Sequence, residues 1–187
     1  PYGLPIEHED DVIRRNVPWL TADAISSVNF TPIHALDGTI TPQGCAFERH
    51  HSGAIDLRKK DYRLMINGLV DTPLVFTYAD LERFPRENHV YFCECAANTG
   101  MEWAGAQLNG AQFTHGMVHN MEYSGVSLRT LLNEAGLEKA GDLQDKWVFV
   151  EGADASSNGR SIPMEKALDD VMLAFKANGE ALRKEHG

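Results

Sequence analysis

The stretch that most limits what this chain can become is HVYFCECAANTG, residues 89–100. Its first half alternates like a strand, with Val90, Phe92 and Glu94 on one face and Tyr91, Cys93 and Cys95 on the other, so both thiols are expected to point the same way. At Cys95 the alternation stops. Ala96, Ala97, Asn98, Thr99 and Gly100 are too small to build a core layer, and they suit a corner where backbone crowds around a bulky group. A cysteine at such a corner is a soft metal ligand or a nucleophile, or else a buried inert thiol, the commoner fate of free cysteine.

Length and charge narrow the classes. A chain of 187 residues suits one domain whose core folds without staples. Hydrophobic residues at 43% and charged residues at 24% describe an ordinary soluble globular protein. No apolar run is long enough to span a bilayer. The opening PYGLPIEHEDD has no basic start followed by an apolar stretch, so the expectation is a cytosolic protein or one whose export leader has gone. A formal net charge of -10 argues against nucleic-acid binding and fits docking onto a basic protein through rim charges. Cys45, Cys93 and Cys95 cannot all pair with one another, and no C-x-x-C spacing suggests structural zinc.

Along the chain, residues 1–30 read as an acidic, then mixed arm. Thr21 or Asp23 could cap a short turn, but Pro18 and Pro32 break anything longer. Residues 30–55 read as short strands carrying Cys45 and the run Phe47, Glu48, Arg49, His50, His51, with a Ser52-Gly53 turn to present those side chains from a loop. Residues 61–76 read as a hairpin turning at Asn67-Gly68, and Thr77 as the cap of a short helix over 78–84 that ends at Pro85. Residues 101–112 read as loop. His115 and His119, four apart, would share a helix face and could hold zinc; Gly116 between them and the lack of a nearby third ligand make a structural or pocket-lining role the expectation instead. Ser127 caps a helix that Gly136 stops. Residues 147–151 read as a buried strand ending in Gly152-Ala153-Asp154, and residues 159–163 lead into a helical turn over 165–169. Residues 171–182 read as a hairpin about Asn178-Gly179, and the pattern as a whole is α+β.

Read in register, CAANTG, the Phe47-Glu48-Arg49-His50-His51 run, Val150-Glu151-Gly152-Ala153-Asp154 and the Gly159-Arg160-Ser161-Ile162-Pro163 segment resemble the molybdenum-cofactor domain of the sulfite oxidase family, and Glu185-His186-Gly187 matches its acidic-His-Gly segment near the phosphate. The match runs in order from about Phe47 to His186. The resemblance implies a mixed-sheet molybdopterin-binding fold over residues 31–187 and a molybdenum-molybdopterin cofactor. It makes Cys95 the metal ligand, with Cys93 in reserve, since a metal carried on an organic dithiolene needs only one protein thiolate. It makes Arg49 the group facing an anionic substrate, and it places Phe47, Glu48, Arg49, His50, His51, Asp154 and His186 around the pterin and its phosphate. Singly, each of these charged residues would more often be an ordinary surface group.

The departures from that pattern also have chemical content. Where the family has arginines after Cys-Ala-Gly-Asn, this chain has Thr99 and Gly100, and a pocket tryptophan is replaced by Phe113. Fewer cations weaken the case for small sulfite and favour a sulfur chain carried on a protein. In this the chain looks most like the sulfane dehydrogenase branch of bacterial thiosulfate-oxidising systems, which implies a periplasmic oxidoreductase passing electrons to a c-type cytochrome subunit. A sulfite dehydrogenase, acting on a small sulfur oxyanion, is the alternative within the family. The alternatives outside it are a cysteine-dependent hydrolase using Cys95 with His51 or His89, and an acidic scaffold that binds a partner without catalysis. The family also continues past His-Gly with an arginine, a lysine, an active-site tyrosine and a dimerisation domain, none of them present here, so the cofactor domain is expected to be incomplete at its C-terminal end.

Overall fold

The computed structural model describes residues 15–16, 27–51, 58–137, 141–154 and 156–186. The Thr21 or Asp23 cap and the Ser52-Gly53 turn lie outside these. In chain order the strands and α-helices are β1 (Arg15–Asn16), β2 (Ser27–Phe30), β3 (Glu48–His50), β4 (Arg63–Ile66), β5 (Leu74–Thr77), α1 (Tyr78–Leu81), β6 (Glu87–Glu94), α2 (Ala111–His115), β7 (Val118–Ser127), α3 (Leu128–Glu134), β8 (Trp147–Glu151), β9 (Gly159–Pro163), α4 (Met164–Asp169), β10 (Met172–Ala177) and β11 (Glu180–Ala181). Short 3₁₀ turns cover Ile33–Ala35, Gln43–Cys45 and Gly100–Glu102. The chain divides into two compact units. The first gathers residues 1–54, 89–123 and 176–187, the second residues 55–88 and 124–175.

In the first unit β1, β2 and β3 form an antiparallel sheet in that order, with Val28 opposite Arg49 and Asn29 opposite Glu48. Two stretches of the expected arm are therefore strand. The four-stranded sheet has the order β11-β10-β7-β6. Its β10-β11 hairpin turns at Asn178 (φ 51°) and Gly179 (φ 82°), the paired left-handed conformation that an Asn-Gly dipeptide adopts most easily. Asn178 also donates through its side chain to Thr41 O at 2.9 Å, and its side-chain oxygen accepts from Glu122 N at 3.1 Å. Small cores fill this unit: Val28, Phe30 and Phe113 in one, Ala46, Met121 and Ala177 in another. Gly116 is required where they meet the start of β7, since a Cβ there would lie 2.2 Å from Gln112 O and 2.7 Å from the Phe30 Cβ. That close approach lets Thr31 N donate to Gly116 O at 2.8 Å.

The second unit is built on a larger core of Ile66, Phe76, Leu81, Val126, Leu131, Leu132, Met164 and Phe175. Leu131 is wholly buried, and a fully buried leucine contributes about 2 kcal/mol. Helix α3 begins and ends where Ser127 and Gly136 predict: the Ser127 hydroxyl accepts from Thr130 N, and Gly136 adopts φ 82°. Thr77 caps α1 in a reciprocal capping box with Asp80, although the helix stops at Leu81, short of the expected 84. The β4-β5 hairpin pairs Ile66 with Leu74, so residues 67–73 close it in place of a two-residue Asn-Gly turn.

One expectation fails outright. β8 is mostly exposed, with Trp147 at 61% and Phe149 at 63%, because among the described residues it pairs only with β9 in a two-stranded sheet that buries little beyond Val148. The Phe149 ring lies over Gly159, where a Cβ would come within 2.3 Å of it.

Candidate functional site

The corner after β6 forms as the sequence predicts, and Asn98 is the residue that fixes it. Cys95 N donates to Met117 O at 3.0 Å, and Asn98 N donates to Cys95 O at 2.8 Å. The buried Asn98 side chain accepts from Met117 N at 3.1 Å and donates to Glu94 Oε1 at 2.9 Å. Thr99 takes the left-handed conformation, φ 65°, uncommon for a residue with a side chain, and its N–H donates to Thr114 O at 2.9 Å. Cys95 is thus pinned at the junction of two elements, half-buried, with a free thiol. Cys93 is also free and lies at the surface. Surrounding protein still pushes its thiol up, with the neighbouring Cys95 charge the smaller cause, as expected of two thiols on one strand face. Of the two, Cys95 is the more firmly placed, its backbone bonded to Met117 and Asn98.

β3 supplies the second part. The Glu48 side chain is wholly buried, accepting from Asn29 Nδ2 at 3.1 Å and facing His50 Nε2 at 3.1 Å. Its carboxylate points into the protein and orients His50. Arg49 is half-buried, with Nη1 donating to His50 O at 2.6 Å, while His51 is exposed. Just before them, Phe47 N donates to the Thr31 hydroxyl at 3.0 Å.

His119 joins these parts to the C-terminal segment. Its ring lies 4.9 Å from the Phe47 ring and 6.1 Å from that of His186, so two sequence-predicted cofactor residues meet across a third that the sequence did not assign to them. His119 Nε2 and the Tyr123 hydroxyl are 2.8 Å apart. His119 is only 7% exposed, and its Nδ1 is buried with no hydrogen-bond partner. Burial, helped by the His186 charge, holds its pKa down to about 4. Burial first and the Cys93 charge second push the Tyr123 hydroxyl up to about 12. At neutral pH both groups are uncharged.

The remaining residues fall elsewhere. Asp154 belongs to the second unit, half-buried, where its carboxylate accepts from the Ser156 hydroxyl at 3.0 Å and from Ser157 N at 3.2 Å. Phe113 packs 5.6 Å from Phe30 in a core. The helix face expected to carry His115 and His119 does not exist: α2 ends at His115, and His119 lies on β7. Among the described residues no three His, Cys, Asp or Glu side chains gather as a metal site, and none of the helices is long and apolar enough to cross a membrane.

Comparison with known proteins adds the family. Residues 51–187 match the oxidoreductase molybdopterin binding domain. The chain belongs to that family. It is 30% identical to the mitochondrial sulfite oxidase of Drosophila melanogaster over 155 residues, 79% of this chain and 26% of that protein. It is 33% identical to the NADH nitrate reductase 1 of Phaseolus vulgaris over 163 residues, 80% of this chain and 18% of that protein. The crystal structure of the sulfane dehydrogenase SoxCD from Paracoccus pantotrophus matches with 71% identity and a TM-score of 0.88, covering all of this chain and 47% of that one. The chain spans about a quarter or less of these curated relatives and about half of the solved chain.

The expected α+β molybdopterin-binding fold and its resemblance to sulfite oxidases are thereby established, and the cofactor of the family is molybdenum on molybdopterin. The residues fit that group. A free, half-buried thiol at a fixed corner is a soft donor for a metal that receives its other sulfurs from an organic ligand. Among the described residues the buried His119 Nδ1 has no hydrogen-bond partner, and a polar ring atom of such a group would satisfy it. Sequence reasoning missed one builder of the site and misplaced another. Asn98 sat in plain view, three residues after the thiol, and His119 had its signal obscured by an assumed helix.

Proposed function

We propose that this domain is the catalytic part of a molybdenum-dependent oxidoreductase that oxidises sulfane sulfur, carried on a protein, and passes the electrons to a c-type cytochrome subunit in the periplasm. The observation that carries the reading is the 71% identity to the sulfane dehydrogenase SoxCD along the whole chain, against about 30% to sulfite oxidase. Thr99 and Gly100, small and uncharged where sulfite oxidases place cations, support a sulfur chain over a free dianion.

In this scheme the Cys95 thiolate binds the metal, held in place by Met117 and Asn98. Arg49 holds the anionic end of the substrate, its guanidinium steadied on the His50 carbonyl. Phe47, His50, His51 and His186 seat the pterin and its phosphate, and Glu48 serves them from behind by orienting His50. When bound, the cofactor supplies a two-electron oxidant that takes its oxygen from water. The surrounding residues position the sulfur atom and keep the nearby polar groups neutral, as the pKa values of His119 and Tyr123 require.

The test compares turnover of the full-length enzyme on free sulfite with turnover on a protein-bound persulfide, read as haem reduction in the cytochrome partner. Faster turnover of the persulfide supports the reading. Preference for sulfite would replace it with a sulfite dehydrogenase of the same family.

A further inference from the structure

His119 sits where the cofactor residues converge, yet nothing in the family pattern quoted above includes it. Its Nε2 is committed to the Tyr123 hydroxyl at 2.8 Å, and its ring face is packed by Phe47 at 4.9 Å, so the imidazole cannot turn without breaking both contacts. Its Nδ1 is left buried and without a hydrogen bond on a residue 93% removed from solvent. An unpaired buried nitrogen costs stability in the absence of a partner, and native structures keep few of them without a reason.

We propose that His119 is a binding residue for the organic part of the molybdenum cofactor, its Nδ1 making a hydrogen bond to a polar ring atom of the pterin while Tyr123 holds the imidazole in position.

Three observations choose the pterin over the other parts of the cofactor. Of the three aromatic neighbours of His119, Phe47, Tyr123 and His186, two are those the family resemblance places at the cofactor, and the Cys95 corner is tied to Met117, two residues before His119 on the same strand approach. The ring is neutral at physiological pH, because burial and His186 depress its pKa. A neutral nitrogen suits a neutral heterocycle, whereas a phosphate or a substrate anion calls for a cation. Nor do other His, Cys, Asp or Glu side chains gather with it into a metal-ligand set among the described residues. With the Tyr123 hydroxyl donating to Nε2, Nδ1 carries the proton and donates to a pterin acceptor. With the tautomer reversed, Nδ1 accepts from a pterin amino group. Either pairing satisfies the orphan.

The inference rests on the molybdenum-cofactor reading, and the experiment separates the two. Full-length wild type, His119→Phe, His119→Gln and His119→Asn are purified, and each is assayed for molybdenum by elemental analysis and for pterin by fluorescence after oxidation. The rate of pterin release under mild denaturant is then followed. Phe removes both nitrogens, Gln keeps a polar atom near the Nε2 position, and Asn keeps one near Nδ1. The expected result is release about tenfold faster in the Phe and Gln variants, the loss of one buried hydrogen bond, with Asn close to wild type. The cofactor-free Phe variant loses the Tyr123 bond together with the orphaned nitrogen, so the release rates, not its melting temperature, carry the test. Wild-type release rates in both the Phe and Gln variants, or Asn as fast as Gln, would overturn the proposal. Should Phe melt low through misfolding, the Gln and Asn comparison decides alone. Wild type lacking both molybdenum and pterin would defeat the cofactor reading and this inference with it.

Discussion

The depressed pKa of His119 makes a pH prediction with a worked magnitude. In the unfolded chain a histidine titrates near 6.5, and in the folded protein burial and the His186 charge bring His119 down to about 4. Between those values the unfolded state binds a proton that the folded state refuses, so stability is complete above 6.5 and falls as the pH drops toward 4. At about 1.4 kcal/mol per unit the whole shift is worth about 3 kcal/mol. About 2 kcal/mol of that is lost between pH 7 and pH 5, where the unfolded histidine completes most of its titration. Denaturant unfolding of cofactor-free wild type and His119→Phe at half-unit steps from pH 7.5 to 4.5 measures the difference. The wild type should lose about 2 kcal/mol more than the variant between pH 7 and 5. Parallel stability curves for the two proteins would refute the reasoning, because they would mean that His119 gains its proton as easily folded as unfolded.

The other predictions concern the groups that hold the site. Glu48→Ala removes the buried acceptor of Asn29 and the partner of His50 and should cost about 3 kcal/mol, with Glu48→Gln costing clearly less, both measured by urea unfolding. Gly116→Ala forces a Cβ to within 2.2 Å of Gln112 O, so its midpoint should fall by about 3 kcal/mol in equivalent stability; an unchanged urea midpoint would contradict the close approach of these segments. Asn98→Ala removes two side-chain hydrogen bonds from the Cys95 corner and should destabilise by about 2 kcal/mol and lower molybdenum content in elemental analysis; Asn98→Asp keeps an acceptor for Met117 N but sets a second carboxylate against Glu94 Oε1, so at neutral pH it should be no more stable than the alanine variant.

What the sequence disclosed was local in origin. Ser127 and Gly136 bracket α3 because a hydroxyl cap and a left-handed glycine act within one turn, and Asn178-Gly179 closes its hairpin for the same reason. The end of alternation at Cys95 marked the corner because strand period and small residues are both written in adjacent positions. What stayed hidden depends on distant partners. Glu48 looks like a surface acid until β2 brings Asn29 opposite it. His119 was assigned to a helix because spacing four from His115 fits one, but the neighbouring strands of the sheet claim it for β7. Asn67-Gly68 signals a tight turn, yet the register that pairs Ile66 with Leu74 puts both residues inside a longer loop. Trp147 and Phe149 read as core because they are apolar, and only the pairing of β8 with β9 alone leaves them at the surface. The candidate site followed the same division: the corner that holds Cys95 was legible, while the ring cluster of Phe47, His119 and His186 required the fold.

The central claim is that the Cys95 sulfur binds molybdenum. X-ray absorption at the molybdenum edge, recorded on full-length wild type, Cys95→Ser and Cys93→Ser, counts the sulfur atoms around the metal. The account predicts one sulfur fewer in Cys95→Ser and no change in Cys93→Ser. An unchanged count in Cys95→Ser, or a loss in Cys93→Ser, would contradict it.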